Sequence, residues 1–169
     1  MKYILSFYLI LQTSSFFAAQ TSQAQKLGAG SYGDVYVNLS DDSLVFKVFK
    51  RKYRTKASED SKTHLDLVKD LHTSIECHRF LLPHDIHIIE CYFLLSDHHS
   101  LTFKRYERDL LNVYTKRPLK LSYKEVFLII KDILNGLSFL ETINLIHSDL
   151  KPENILCEEV SGELRCVLA

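Results

Sequence analysis

The sequence predicts an α+β fold, with a β-rich first half that carries one inserted helix and a second half that opens on a strong helix. Two observations carry this prediction. Between Lys26 and Lys50, valine, tyrosine and phenylalanine alternate with other residues on both sides of "NLSDDS", the period-two pattern of half-buried strands. From Ser122 to Leu140, apolar residues recur as Val126, Ile130, Ile133, Leu137 and Leu140, a four-three spacing that lines one face of a helix. At 169 residues, 46% hydrophobic and 25% charged, the chain is long enough to bury the core of one or two domains.

The elements follow in order. "MKYILSFYLILQTSSFFAAQTSQA" has a basic Lys2, an apolar run from Tyr3 to Leu11 and small residues at Ser22 and Ala24, the layout of a secretory signal peptide. Gln12, Thr13, Ser14 and Ser15 interrupt it too early for a membrane span. Strand, turn and strand follow over "KLGAGSYGDVYVNLSDDSLVFKVFK". "KRKYRTK", Lys50 to Lys56, reads as a solvated loop. Ser58 to Leu82 reads as an irregular helix with Leu65, Val68, Ile75 and Phe80 inward. "IHIIECYFLL" and "SLTFKRY" read as a strand pair joined by "SDHHS". The helix from Ser122 starts on a capping-box pair, Ser122 and Glu125. "NLIHSDLKPENILC" is a loop and "ELRCVLA" a closing strand.

Charge excludes some functions. With 21 basic and 21 acidic side chains and a pI near 7.1, nothing draws the chain to nucleic acid or an acidic membrane surface. Cys77, Cys91, Cys157 and Cys166 are scattered without a CxxC pair. They read as thiols of a reducing compartment rather than a disulfide frame.

Three motifs carry chemistry. "GAGSYGDV" puts glycines at Gly28, Gly30 and Gly33, which let backbone amides approach phosphates. A strand follows Gly33 where a dinucleotide fold needs a helix, so this is a glycine-rich hairpin lid. Lys47 in "LVFKVF" could serve phosphates if an acid such as Glu76 held it. In "HSDLKPENILC", Asp149 could take a proton from a hydroxyl, Lys151 could neutralise a transferring phosphoryl group, and Asn154 could ligate a divalent metal through its amide oxygen.

Taken in order, these residues resemble a eukaryotic protein kinase of the serine/threonine or dual-specificity type, nearest the cyclin-dependent-kinase supergroup. The resemblance runs from about Lys26 to Ala169 and implies a two-lobe fold. Residues 25–106 would form the antiparallel small lobe with its helix, and 107–169 the start of a helical large lobe, after a leader at 1–24. It implies ATP and Mg2+ as cofactors and a protein substrate. The glycine loop would be Leu27, Gly28, Ala29, Gly30, Ser31, Tyr32, Gly33 and Val35, with Lys47 orienting phosphates under the hold of Glu76. Phe103 would be the gatekeeper, Lys104 to Tyr106 would face the adenine edge, and Asp109 would meet the ribose. Leu27, Val35, Val45, Phe103 and Leu156 would sandwich the ring. Asp149, Lys151 and Asn154 take the catalytic-loop offsets.

Departures from the family pattern set further expectations. Ser148 replaces the arginine that commonly pairs with an activation-loop phosphate. The stretch between Lys47 and Glu76 is about ten residues longer than in compact kinases. The sequence reaches Ala169 where Asp-Phe-Gly would begin, so the 169-residue chain by itself is expected to be inactive and unstable. ATP and reduced thiols favour an intracellular location, and the leader leaves secretory targeting open. The competing reading is a non-catalytic pseudokinase or a truncated module that binds nucleotide or a partner.

Overall fold

The computed structural model describes residues 24–55, 63–81, 85–92, 99–116 and 121–169. The expected leader lies outside them except for Ala24, as do residues 56–62 of the longer loop. The described chain forms two compact units. The first holds residues 24–55, 63–76, 91–92 and 99–105, and the second holds 77–81, 85–90, 106–116 and 121–169. The second takes in 77–81 and 85–90, whereas the expected division drew its boundary after residue 106.

The first unit is a four-stranded antiparallel sheet in the order β1 (Lys26–Ala29), β2 (Gly33–Val37), β3 (Leu44–Phe49) and β4 (Ser100–Lys104). Three strands thus occupy the stretch read as two, because the glycine loop is itself a hairpin turn. Two Asx turns close the β2–β3 connection. The Ser40 amide donates to Asn38 Oδ1, and the Ser43 amide donates to Asp41 Oδ1. Phe46 and Leu101 are fully buried on adjacent strands and anchor the core. Helix α1 (His64–Leu81) starts on a reciprocal cap. Asp66 N–H donates to Thr63 Oγ1, and Thr63 N–H donates to Asp66 Oδ2. Leu65 and Ile75 are buried as expected, but Phe80 is 89% exposed.

Gly33 fixes how closely β2 and β3 approach. A Cβ there would run into the Val48 carbonyl and lie 3.1 Å from Phe49 Cα, whereas Gly28 has open space around it. Gly33→Ala is therefore expected to lower stability by about 2 kcal/mol through overpacking against backbone. Gly28→Ala should change it by less than about 0.5 kcal/mol. Equal urea midpoints for the two variants would refute this.

The second unit is built on a three-stranded antiparallel sheet in the order β5 (Arg108–Asp109), β6 (Ile155–Val160) and β7 (Glu163–Leu168). A two-residue turn joins β6 to β7, with φ of 53° at Ser161 and 81° at Gly162. Two successive positive φ values suit the right-handed strand twist. The loop expected up to Cys157 thus gives way to a strand at Ile155. Helix α2 (Leu110–Lys116) follows β5, and α3 (Tyr123–Thr142) packs on β7.

The Ser122–Glu125 capping box forms with both reciprocal bonds. At the other end, Asn144 (φ 57°) ends the helix, with Asn144 N–H on Glu141 O and Leu145 N–H on Leu140 O, a Schellman-type stop. The buried face of α3 is Ile129, Asp132, Gly136, Phe139 and Leu140. The expected stripe is offset from it, with Val126 39% and Ile130 51% exposed.

The segment read as a strand over "IHIIECYFLL" is not continuous where it is described. Ile88 bridges to Leu168 in the second unit, while Cys91 bridges to Phe103 in the first. One ladder cannot serve two sheets, so only isolated bridges form.

Candidate active site

The expected site residues fall into two sets, one in each unit. In the first unit, the loop between β1 and β2 carries Leu27 to Gly33. Its Gly30 amide donates to the Gly33 carbonyl at 2.8 Å, and the Lys50 ammonium donates to the Gly30 carbonyl at 2.7 Å. The Lys50 amide takes the Tyr32 carbonyl at 3.0 Å. Lys50 belongs to the run read as solvated loop, and its partner lies 20 residues away, so no local signal marked it.

Register places Val35 opposite Lys47 on β3, and Val45 opposite Phe103 on β4. Lys104 ends β4 opposite Leu44, half-buried. Phe103 is buried, and the His72 ring meets it edge-on at 5.2 Å. Leu27 is 45% exposed on an otherwise exposed β1.

Lys47 and Glu76 form no ion pair among the described residues. The Glu76 carboxylate instead accepts the Cys91 amide at 3.0 Å. The Lys47 ammonium lies 6.0 Å from the Tyr32 ring centroid and 5.6 Å from that of Phe49. Burial pushes its pKa down, because desolvation disfavours the charged form and ring faces compensate only in part. Tyr32, 45% exposed, packs against Tyr53 (5.1 Å) and His64 (5.3 Å, nearly parallel), and these two meet at 5.2 Å, so the three rings form a triangle.

In the second unit, Asp149, Lys151 and Asn154 converge. Asp149 Oδ2 accepts from Lys151 Nζ at 2.9 Å and from Asn154 Nδ2 at 2.8 Å, and that amide also donates to the Asp149 carbonyl. The Lys151 hydrogen bond, then the Asn154 one, holds the Asp149 carboxyl below its ordinary range. Two backbone features aim the loop. The Asp149 amide donates to His147 O across Ser148, whose φ is 57°, a tight turn costing about 1 kcal/mol of strain. Pro152 then opens a 3-10 turn over Pro152–Asn154, where its missing amide costs nothing.

Asn154 is tied further into the fold by the Ala169 amide on its carbonyl. Leu156 pairs with Asp109 on β5 and Val167 on β7. Asp109, expected at a ribose, spends both carboxylate oxygens on Asn112, at 2.7 and 2.5 Å, at the start of α2. A free carboxylate there would need that cap released. Tyr106 is buried.

Sequence reading missed Asp132. Its Oδ2 accepts the Cys166 amide at 2.9 Å, and His87 Nδ1 lies 3.4 Å from Oδ1 and 3.0 Å from the Cys166 carbonyl. With oxygen acceptors on both sides, Nδ1 carries the proton. The one available signal was a charge inside an apolar helix. Cys91, Cys157 and Cys166 are buried free thiols. Burial, then the Glu76 charge, pushes Cys91 up to about 12, and its Cys157 partner pushes Cys166 up as well. These are inert thiols.

Comparison with known proteins identifies the family. The family described as "Protein kinase domain" matches residues 21–167. The chain is 36% identical over 140 residues to a probable serine/threonine-protein kinase, clkA, of Dictyostelium discoideum, covering 78% of this chain and 14% of that protein. It is 30% identical over 154 residues to the serine/threonine-protein kinase atg1 of Penicillium rubens, covering 80% and 16%. It is 31% identical over 146 residues to cyclin-dependent kinase 14 of Xenopus tropicalis, covering 83% and 31%. The chain thus spans from 14% to 31% of the length of these relatives. Among the described residues, no helix is long and apolar enough to cross a membrane.

Proposed function

Because the chain belongs to the protein kinase family, we propose that it serves transfer of the γ-phosphoryl group of ATP to serine and threonine hydroxyls of protein substrates. The observation that carries this is the carboxylate of Asp149, gripped by Lys151 and Asn154. Asp149 takes the proton of the substrate hydroxyl as its oxygen bonds to the γ-phosphorus. The bond from that phosphorus to the β–γ bridging oxygen breaks, and ADP leaves with the electron pair. Lys151 faces the charge that develops on the transferring group. Relatives named as serine/threonine kinases support the substrate class.

Magnesium fits the donor set in part. Asn154 spends its amide nitrogen on Asp149, which leaves Oδ1 as a hard oxygen ligand beside a carboxylate. Mg2+ commonly takes one or two such protein oxygens and completes its shell with phosphates and water. When bound, the ion neutralises phosphate charge.

Lys47 is assigned to the phosphates on the strength of its strand position opposite Val35 and the glycine loop beside it. Titration with a fluorescent ATP analogue tests this. Lys47→Met should weaken binding at least about tenfold, and unchanged affinity would refute the assignment. A labelled-ATP assay on a peptide array should mark serine and threonine; tyrosine labelling alone would refute the substrate class.

The second reading, a non-catalytic nucleotide- or partner-binding module, has one observation in its favour: Glu76 engages Cys91 rather than Lys47. Nucleotide binding indifferent to Mg2+, with no phosphoryl transfer, would select it. The buried free thiols and the ATP requirement support an intracellular site of action. A tagged protein found in the secretory pathway would overturn that.

A further inference from the structure

We propose that Tyr32 is a self-blocking residue of the glycine loop, latched by Tyr53 and His64 so that nucleotide gains access to Lys47 only when the latch opens. The inference rests on the ATP-binding reading and deepens it, because all the contacts lie within the first unit. Three independent sets of contacts hold the loop shut. The Tyr32 ring stacks on His64 and tilts on Tyr53, and those two rings also meet each other, so displacing Tyr32 breaks two aromatic contacts at once. Lys50 grips the loop backbone at two points, its ammonium on the Gly30 carbonyl and its amide on the Tyr32 carbonyl. The Gly30 amide is consumed by Gly33 within the loop, and so does not point at a ligand.

What the latch covers is Lys47. Its ammonium lies 6.0 Å from the Tyr32 ring centroid and 5.6 Å from that of Phe49, with no acid paired to it among the described residues. Phosphate would be a far stronger partner for that ammonium than two ring faces. Binding therefore exchanges Tyr32 for phosphate on one face of Lys47, and the energy of the latch is subtracted from nucleotide affinity. Tyr53 lies in the 3-10 turn Arg51–Tyr53, and His64 is the first residue of α1. The latch thus also ties the loop to the start of that helix, and opening releases both.

Stopped-flow binding of a fluorescent ATP analogue to the 169-residue chain tests the idea. Tyr32→Ala is expected to raise the association rate and the affinity about three- to tenfold. His64→Ala and Lys50→Ala should move both in the same direction by less. Tyr32→Phe keeps the ring contacts, so it should raise association rate and affinity by clearly less than Tyr32→Ala does, which separates loss of the ring from loss of the hydroxyl. Equal or weaker binding by Tyr32→Ala, with Lys47→Met still losing affinity, overturns the latch and leaves the ATP site standing. If Lys47→Met binds like the parent, the ATP-site reading itself fails, and the latch fails with it. Circular dichroism on each variant excludes a trivial loss of fold.

Discussion

Asp132→Ala should destabilise the second unit by about 2–4 kcal/mol, read as a lower urea midpoint with an unchanged slope. The carboxylate is buried and serves two partners on two segments. It accepts the Cys166 amide in β7 and lies beside the protonated Nδ1 of His87. Alanine strands the Cys166 amide, a buried unmet donor that costs about 1–3 kcal/mol, leaves His87 Nδ1 with the Cys166 carbonyl alone, and opens space at a packed helix face. The damage should spread, because residues 85–89 are fastened to β7 at several points. The Leu168 amide donates to His87 O, and the Ile89 amide donates to Leu168 O. Arg165 pairs with Asp85 and Glu158. His87 is held at a φ of 51° throughout, a conformation that persists only when its surroundings enforce it.

Asp132→Asn keeps an oxygen for the Cys166 amide, so its loss should be smaller, about half that of alanine. An alanine variant within about 0.5 kcal/mol of the parent would mean that solvent replaces the carboxylate, contrary to its burial.

Local signals were legible in the sequence, and pairings between distant segments were not. The Ser122–Glu125 cap acts within four residues and forms as expected, and the glycine hairpin turn and the cluster of Asp149, Lys151 and Asn154 are also local, each within six residues. The face of α3 did not follow from spacing. That helix carries apolar residues nearly all round, at Phe127, Ile129, Ile130, Ile133, Leu134 and Leu137, so several stripes satisfy a 3.6-residue period. Strand β7 selects the stripe that contains Gly136, where an added Cβ would lie 2.8 Å from the His87 carbonyl. A count of hydrophobic residues skips Gly136 and Asp132, although both face the packed side.

The same reasoning explains Lys47. Sequence offsets supply an acid at Glu76 but cannot say what else competes for it. Here the Cys91 amide takes that carboxylate and two aromatic rings take the lysine. Strand β6 escaped notice because Ile155 follows a motif whose polar residues read as loop. Its partner β7 lies across a turn of only Ser161 and Gly162.

Asp149→Asn is expected to lower the rate of phosphoryl transfer about 10²- to 10⁴-fold. Nucleotide affinity should hold within about twofold, since the change removes an interaction needed only as the proton moves. Asparagine keeps the size and hydrogen-bonding reach of the side chain but cannot take the hydroxyl proton. The pH profile supplies a second readout. Lys151 and then Asn154 depress the Asp149 pKa, so the reactive carboxylate is fully present above the ordinary carboxylate range and is lost only as pH falls through its lowered value. The rate should therefore stay flat from neutral pH down past that range. Lys151→Ala removes the larger of the two depressing contacts, so the acid limb should move upward toward the ordinary aspartate value. It should also cost rate at neutral pH, where the carboxylate is ionised in both proteins, given the charge-stabilising role proposed for Lys151. An Asp149→Asn protein that transfers phosphate at the parent rate would remove Asp149 from the chemistry. A Lys151→Ala protein with an unmoved acid limb would show that the 2.9 Å contact does not set the titration of Asp149.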